Sequence, residues 1–121
     1  GAYHSRTCGI DPVMFTLSIP EQLDSLVAES QDKTQVIFEH SLTCPISQAA
    51  YENIRKLAET YPHWYLLVVQ QHPEIGDNIE KLFGVKHETP QVLVIKMGKV
   101  VYSASHYAID PTEVEKFLDT A

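Results

Sequence analysis

The chain has 121 residues, which is enough for one domain with a buried core and too few for two. Hydrophobic residues make up 44% and charged residues 21%, as in an average globular protein, and no apolar run approaches the roughly 18 residues of a membrane span. A formal net charge of −7, without a cluster of Lys or Arg, argues against binding to nucleic acid or to an anionic membrane.

The first residues do not resemble native sequence. Residues 1–13 lack the basic and apolar regions of a signal peptide and show no periodicity of a helix or strand. We expect an irregular or disordered leader here, followed by one domain over residues 14–121. Cys8 falls within the leader, so Cys44 is the single native thiol and no disulfide framework is expected. A lone cysteine without an export signal is typical of the reducing cytoplasm.

The first half of the chain predicts alternating helices and strands. A short helix opens at Ser18, which can cap it, with Pro20 in an early position. The β-branched and aromatic residues 34–39 predict a strand, and residues 45–60 have the periodicity of an amphipathic helix. The continuous apolar run at residues 63–70 is typical of a strand buried on both faces.

The second half supplies the remaining elements. A helix is predicted over residues 74–83, with Gly84 as its C-cap. Strands at residues 90–96 and 99–103 flank a hairpin turn formed by Met97 and Gly98. The last helix covers residues 110–118, with Asp110 as its cap and Pro111 in its first position.

The order of these elements indicates the fold class. Two strands separated by a helix predict a parallel β-α-β unit, and the final hairpin adds an antiparallel pair. We therefore predict an α/β protein, a three-layer α/β/α sandwich around a central, mixed, four-stranded sheet. This is the thioredoxin-like arrangement.

Cys44 is the candidate reactive residue. It lies between a predicted strand and a helix that begins with Pro45, so backbone N–H groups and the positive end of the helix dipole point toward the sulfur and favour the thiolate. The alternative is an inert, buried cysteine, which is common for free thiols. Its polar neighbours Ser41, Thr43 and Ser47 favour the reactive role.

Two further features accompany Cys44. The Thr89–Pro90 bond directly precedes a strand, at the place where proteins of this fold have a cis proline facing the reactive cysteine, and we predict that it is cis. Ser47 takes the position at which dithiol thioredoxins have a second cysteine. Because a serine cannot resolve a mixed disulfide, this predicts one-cysteine chemistry.

The motif Thr43-Cys44-Pro45-Ile46-Ser47, with Thr89-Pro90 and Ser105-His106-Tyr107, resembles the YtxJ family, the monothiol bacilliredoxins. The resemblance covers nearly all of the chain from about residue 15. It implies a thioredoxin-like enzyme of low-GC Gram-positive bacteria and some relatives. Such enzymes act on mixed disulfides between client proteins and bacillithiol or another low-molecular-weight thiol, with no resident cofactor. Cys44 would be catalytic, and the residues assigned to substrate binding are Thr43, Pro45, Ser47, Thr89, Pro90 and His106.

The remaining polar and aromatic candidates are less specific. His40 and His106 could each orient a ligand carboxylate or tune the thiol, and for His40 we favour an ordinary solvated or capping role. A metal site is not expected, because no His-x₃-His or Cys-x₂-Cys spacing occurs. Trp64, Tyr102 and Tyr107 are assigned to packing.

Two other functions remain open for a thiol in this position. One is a thiol peroxidase, although no Arg is placed to polarise a peroxide. The other is a redox sensor or adaptor whose Cys44 is modified once and changes a partner contact. Repeated release of client thiols would separate an exchange enzyme from a sensor.

Overall fold

A computed structural model describes residues 13–119. Residues 1–12 of the predicted leader lie outside this range. Strands and helices alternate along the described chain, and a short 3₁₀ helix at His106–Ala108 follows the last strand. The elements are β1 Phe15–Thr16, α1 Glu21–Glu29, β2 Gln35–His40, α2 Pro45–Ala58, β3 Trp64–Val68, α3 Pro73–Phe83, β4 Gln91–Lys96, β5 Lys99–Ser105 and α4 Pro111–Glu115.

The strands form one mixed sheet in the order β1-β3-β2-β4-β5. β1, β3 and β2 are parallel, whereas β4 is antiparallel to both β2 and β5. The prediction of four strands was wrong by one, because β1 pairs with β3 through Phe15 opposite Tyr65 and Thr16 opposite Leu66. A strand of two residues is too short to show alternation, and β1 can therefore be found only through its partner.

Helices cover both faces of the sheet, which confirms the three-layer arrangement. α2 and α4 cover one face, where Phe38 and Val94 pack against Ile54 and Val114. α1 and α3 cover the other face over a second apolar cluster. The largest buried members of that cluster are Leu17, Leu26, Ile37, Leu67, Ile75, Ile79, Leu93 and Ile95. Burial of these two clusters is the main stabilisation of the fold.

Two of the three helix caps predicted from the sequence are present in the structure. Gly84 ends α3 in the left-handed conformation, with φ of 69°, and the Asp110 carboxylate accepts the Thr112 N–H at 2.9 Å at the start of α4. The Ser18 cap was wrong, because α1 begins at Glu21 with Pro20 in the N-cap position. α4 also ends at Glu115, earlier than predicted, and a turn follows it.

The topology brings several chain segments to one end of the sheet. At this end, β2 finishes with Glu39, opposite Gln91 at the start of β4, and with His40, opposite Val68 at the end of β3. Gln91 in turn pairs with Ser105 at the end of β5. The loops that carry Cys44, Gln70, Pro90 and His106 therefore all leave the sheet at this end.

Candidate active site

Cys44 is the N-cap residue of α2. Its backbone is extended, with φ of −106° and ψ of 117°, and its carbonyl accepts the first helical hydrogen bond from the Gln48 N–H at 3.1 Å. Pro45 occupies the first turn as predicted, and the Cys44 thiol is a free, half-buried side chain. The N–H groups of a helix's first turn lack carbonyl partners within the helix, so this end favours negative charge beside it.

Residues 41–43, which we call the approach loop, lead from β2 to Cys44. The Ser47 hydroxyl in α2 accepts the Ser41 N–H at 2.9 Å and lies 2.8 Å from His40 Nδ1. The side chain of Ser47 is fully buried. Although the sequence assigns Ser47 to substrate binding, its hydroxyl is engaged inside the protein, where it ties the start of the approach loop to α2.

His40 is a buried histidine. Only 4% of it is exposed, and its ring stacks on Phe38 and on Tyr51, with centroid distances of 5.8 and 5.2 Å. Burial lowers the pKa of His40, so the neutral imidazole is favoured. The expectation of a solvated or capping histidine was wrong, because the alternation of β2 directs this ring under α2.

Gln70 also contacts the approach loop. Its Oε1 accepts the Leu42 N–H at 3.2 Å, and its Nε2 donates to Ser41 Oγ at 2.7 Å and to Thr43 Oγ1 at 3.4 Å. The sequence does not assign Gln70 to the site, because Gln70 ends an apolar run and resembles the last residue of a strand. In the structure β3 ends earlier, at Val68. One signal was present: β2 and β3 are parallel neighbours, so polar residues directly after each strand lie at the same edge.

The segment before β4 lies at the same end of the sheet. The Thr89–Pro90 peptide bond is cis, which is the isomer that the sequence favours. The Pro90 carbonyl accepts the His106 N–H at 3.0 Å, and the 3₁₀ helix that begins at His106 contacts α2. His106 has a φ of 54°, and its Nδ1 lies 4.0 Å from Glu88 Oε1. The predicted residues Pro90 and His106 are thus joined directly, and the 3₁₀ helix links them to the helix that starts after Cys44.

The three aromatic residues assigned to packing behave differently. Trp64 is fully buried, and Tyr102 stacks on Phe117 with ring centroids 5.0 Å apart. For Tyr107 the assignment was wrong, because 86% of this residue is exposed. Leu42 is also largely exposed. Both apolar side chains therefore lie on the surface at the end of the sheet that carries Cys44.

The described residues contain neither a cluster of metal-ligating side chains nor a membrane-spanning helix. Within residues 13–119, no group of three His, Cys, Asp or Glu side chains is placed to hold a metal ion. The helices of the same range are too short or too polar for any of them to cross a membrane.

Comparison of the sequence with known families gives a direct match. Residues 15–114 match the family described as monothiol bacilliredoxin BrxC. The chain belongs to the monothiol bacilliredoxin family. The matched range contains the Cys44 motif, the cis proline and the 3₁₀ helix, so every predicted site residue falls within the bacilliredoxin region. Membership makes this chain a thiol–disulfide redox protein.

Solved structures show the fold of the bacilliredoxin to be that of thioredoxins. A thioredoxin-fold protein described as an oxidoreductase matches with a TM-score of 0.77 and 33% identity, over 86% of this chain and 92% of that one. Fasciola hepatica thioredoxin matches with a TM-score of 0.67 and 20% identity, over 85% and 94% of the two chains. Oxidised mitochondrial thioredoxin 3 from Saccharomyces cerevisiae gives 0.66 and 19%, over 98% and 97%. At their low identities, the two thioredoxins show the fold alone.

Proposed function

We propose that this bacilliredoxin removes bacillithiol, or another low-molecular-weight thiol, from mixed disulfides on client proteins in a reducing cytoplasm. The observation that carries the proposal is the pair of residues at the start of α2. A free, half-buried thiol stands at Cys44, and a buried hydroxyl stands at Ser47 where a second thiol would be needed to resolve the product.

The first step is a thiol–disulfide exchange. The Cys44 thiolate attacks the small-thiol sulfur of the mixed disulfide, forms a new S–S bond to it and breaks its bond to the client sulfur. The client leaves as a thiolate and takes up a proton. No net oxidation or reduction occurs, because one disulfide is exchanged for another.

The second step requires an external thiol. Its thiolate attacks the small-thiol sulfur bound to Cys44, which restores the Cys44 thiolate and releases a small disulfide. Ser47 cannot take this part, because an alcohol oxygen does not replace a sulfur in disulfide exchange. Turnover should therefore depend on the concentration of the external thiol.

A stoichiometric assay tests the proposal. A Cys8→Ser protein, in which Cys44 is the only thiol, is mixed with an excess of a bacillithiol-modified client, without reductant. We expect mass spectrometry to show one equivalent of client released and one bacillithiol added to Cys44. Adding an external thiol should give multiple turnovers, and Cys44→Ser should abolish release.

The same assay separates the alternatives. Release of more than one equivalent without reductant would contradict one-cysteine chemistry. An adduct that persists when external thiol is in excess would instead indicate a sensor that reacts once. Activity that survives in the Cys44→Ser protein would remove Cys44 from the mechanism altogether.

A further inference from the structure

One side chain outside the family motif holds all three residues of the approach loop. Gln70 lies after β3, at the end of the sheet where Cys44 follows β2. Its amide oxygen accepts from the loop backbone at Leu42, and its amide nitrogen donates to both loop hydroxyl groups, those of Ser41 and Thr43. The two hydroxyl oxygens are themselves 3.3 Å apart. These contacts join the segment that precedes the thiol to the neighbouring strand.

Within residues 13–119, the other hydrogen bonds of this loop fix only its two ends. The Ser41 N–H is held by Ser47, and the Cys44 N–H donates to the Ser41 carbonyl at 3.4 Å. Between these ends, the side chains of Leu42 and Thr43 are exposed, so burial does not fix them. The middle of the approach loop therefore depends on Gln70 for its position.

We propose that Gln70 is a positioning residue for thiol exchange. It acts through the approach loop, which it holds so that the Cys44 sulfur stays at the N-terminus of α2. Without these hydrogen bonds the loop backbone could shift and carry the Cys44 sulfur away from the N–H groups of the helix's first turn. This role rests on the proposed function, because it assigns a residue to the same exchange reaction.

The test uses Gln70→Met in the Cys8→Ser background. Methionine keeps the length of the side chain and removes every hydrogen bond of the amide. We expect faster hydrogen exchange at the Leu42 amide, several-fold slower alkylation of Cys44 by iodoacetamide, and bacillithiol transfer slowed by about tenfold. Gln70 is exposed, so the variant should keep the wild-type circular dichroism spectrum.

Two further variants serve as control and rescue. Gln71 is exposed, and within residues 13–119 its side chain makes no hydrogen bond, so Gln71→Met should leave all three measurements at wild-type values. In Gln70→Glu a carboxylate oxygen can still accept the Leu42 N–H. This variant should therefore retain slow hydrogen exchange at the Leu42 amide. If substitution at position 70 loosened the protein in general, exchange would be faster in this variant as well.

The outcomes distinguish the positioning role of Gln70 from the exchange reaction itself. Unchanged exchange at Leu42 in Gln70→Met, or faster exchange with unchanged rates of alkylation and transfer, would overturn the role of Gln70. If the wild-type protein transfers no bacillithiol, the proposed function fails. Slower alkylation of Cys44 in Gln70→Met, together with faster Leu42 exchange, would still support the positioning role in that case.

Discussion

The side chain at position 47 determines how the chemistry is divided between this protein and its surroundings. In a dithiol thioredoxin a sulfur would stand here, whereas the Ser47 hydroxyl is fully buried and hydrogen-bonded to the Ser41 N–H and to His40. Ser47, which stands where a resolving thiol would be, thus also holds the loop before Cys44. Chemical and structural roles at this position can be separated by substitution.

We expect Ser47→Ala to lower stability and to leave the thiol chemistry in place. The alanine leaves a buried backbone N–H and a buried imidazole nitrogen without this partner, which should lower the free energy of unfolding by about 1–3 kcal/mol. Bacillithiol transfer by the folded variant should continue. The measurements are urea unfolding and the mass assay, with the exposed residue Ser103 changed to alanine as a control. Wild-type stability in Ser47→Ala would contradict the buried hydrogen bonds.

Single residues of the site differ in how far the sequence reveals them. Cys44 could be identified because its motif is local, with a strand on one side and Pro45 on the other. His40 could not be placed, because a histidine at a strand end is buried or solvated according to the helix above it. Gln70 was missed because its partners lie 27 to 29 positions away along the chain, and only the parallel pairing of β2 and β3 brings them together.

Among the elements, the hairpin between β4 and β5 contains a backbone conformation that is unfavourable for its sequence. Lys96 pairs with Lys99, so Met97 and Gly98 form a two-residue loop, and both have positive φ, of 51° and 74°. Glycine adopts this conformation readily, whereas a methionine adopts it at a cost in free energy. Hydrogen bonds from both N–H groups to Ser30 hold the turn against the end of α1.

Replacing Met97 by asparagine should stabilise the protein. Asparagine tolerates the left-handed conformation and is preferred before glycine in two-residue hairpins, so we expect a gain of about 0.5–1 kcal/mol in the free energy of unfolding. The gain would be measured as a higher urea midpoint. Met97→Leu keeps the size and the strain and should leave the midpoint unchanged. A lower midpoint for Met97→Asn would mean that the methionine side chain stabilises the turn.

Elements with strong local signals agree with prediction, whereas two helix ends, the start of α1 and the end of α4, do not. The apolar run of β3 and the Gly84 C-cap of α3 appear in the sequence as in the structure. The start of α1 differs because a side chain replaces the expected cap: Gln22 Oε1 accepts the N–H groups of Ser18 and Ile19. α4 is shorter than predicted, and Asp119 beyond its end is hydrogen-bonded to Thr34 and Tyr61, from distant parts of the chain.

At the scale of the whole molecule, a buried carboxyl group links stability to pH. Glu39 is fully buried in β2, and its Oε1 lies 2.7 Å from Nδ1 of His87, which precedes β4. Glu80 on α3 accepts the His87 backbone N–H at 2.8 Å. Burial, with a smaller effect of the Glu80 charge, raises the pKa of Glu39 from 4.5 to about 8. The neutral carboxyl is therefore the form that the fold favours.

Stability should fall as this group is forced to ionise. Because the pKa is higher in the folded than in the unfolded state, the contribution of Glu39 is complete below about pH 4.5 and is lost as the pH rises to about 8. We expect the free energy of unfolding of the wild type to fall over this range relative to Glu39→Gln, which mimics the neutral acid. Urea unfolding at several pH values measures the difference.

A control distinguishes burial from general charge effects. Glu115 is exposed, so Glu115→Gln removes one acidic charge without changing the core. The free energy of unfolding of Glu115→Gln, relative to the wild type, should vary less with pH than that of Glu39→Gln. A wild type that instead gains stability over Glu39→Gln as the pH rises would show that Glu39 is ionised in the fold and paired with His87.

The hairpin and Cys44 lie at opposite ends of the sheet, which makes the molecule convenient to attach to a surface. β4 starts beside Pro90 and runs about 20 Å to Met97, so the hairpin lies at the end opposite Cys44. The chain has two methionines, of which Met14 is buried and Met97 is 70% exposed. A methionine-selective reagent can therefore attach a dye or a solid support at Met97 without consuming the thiol. A protein fixed in this way would present Cys44 to the solution.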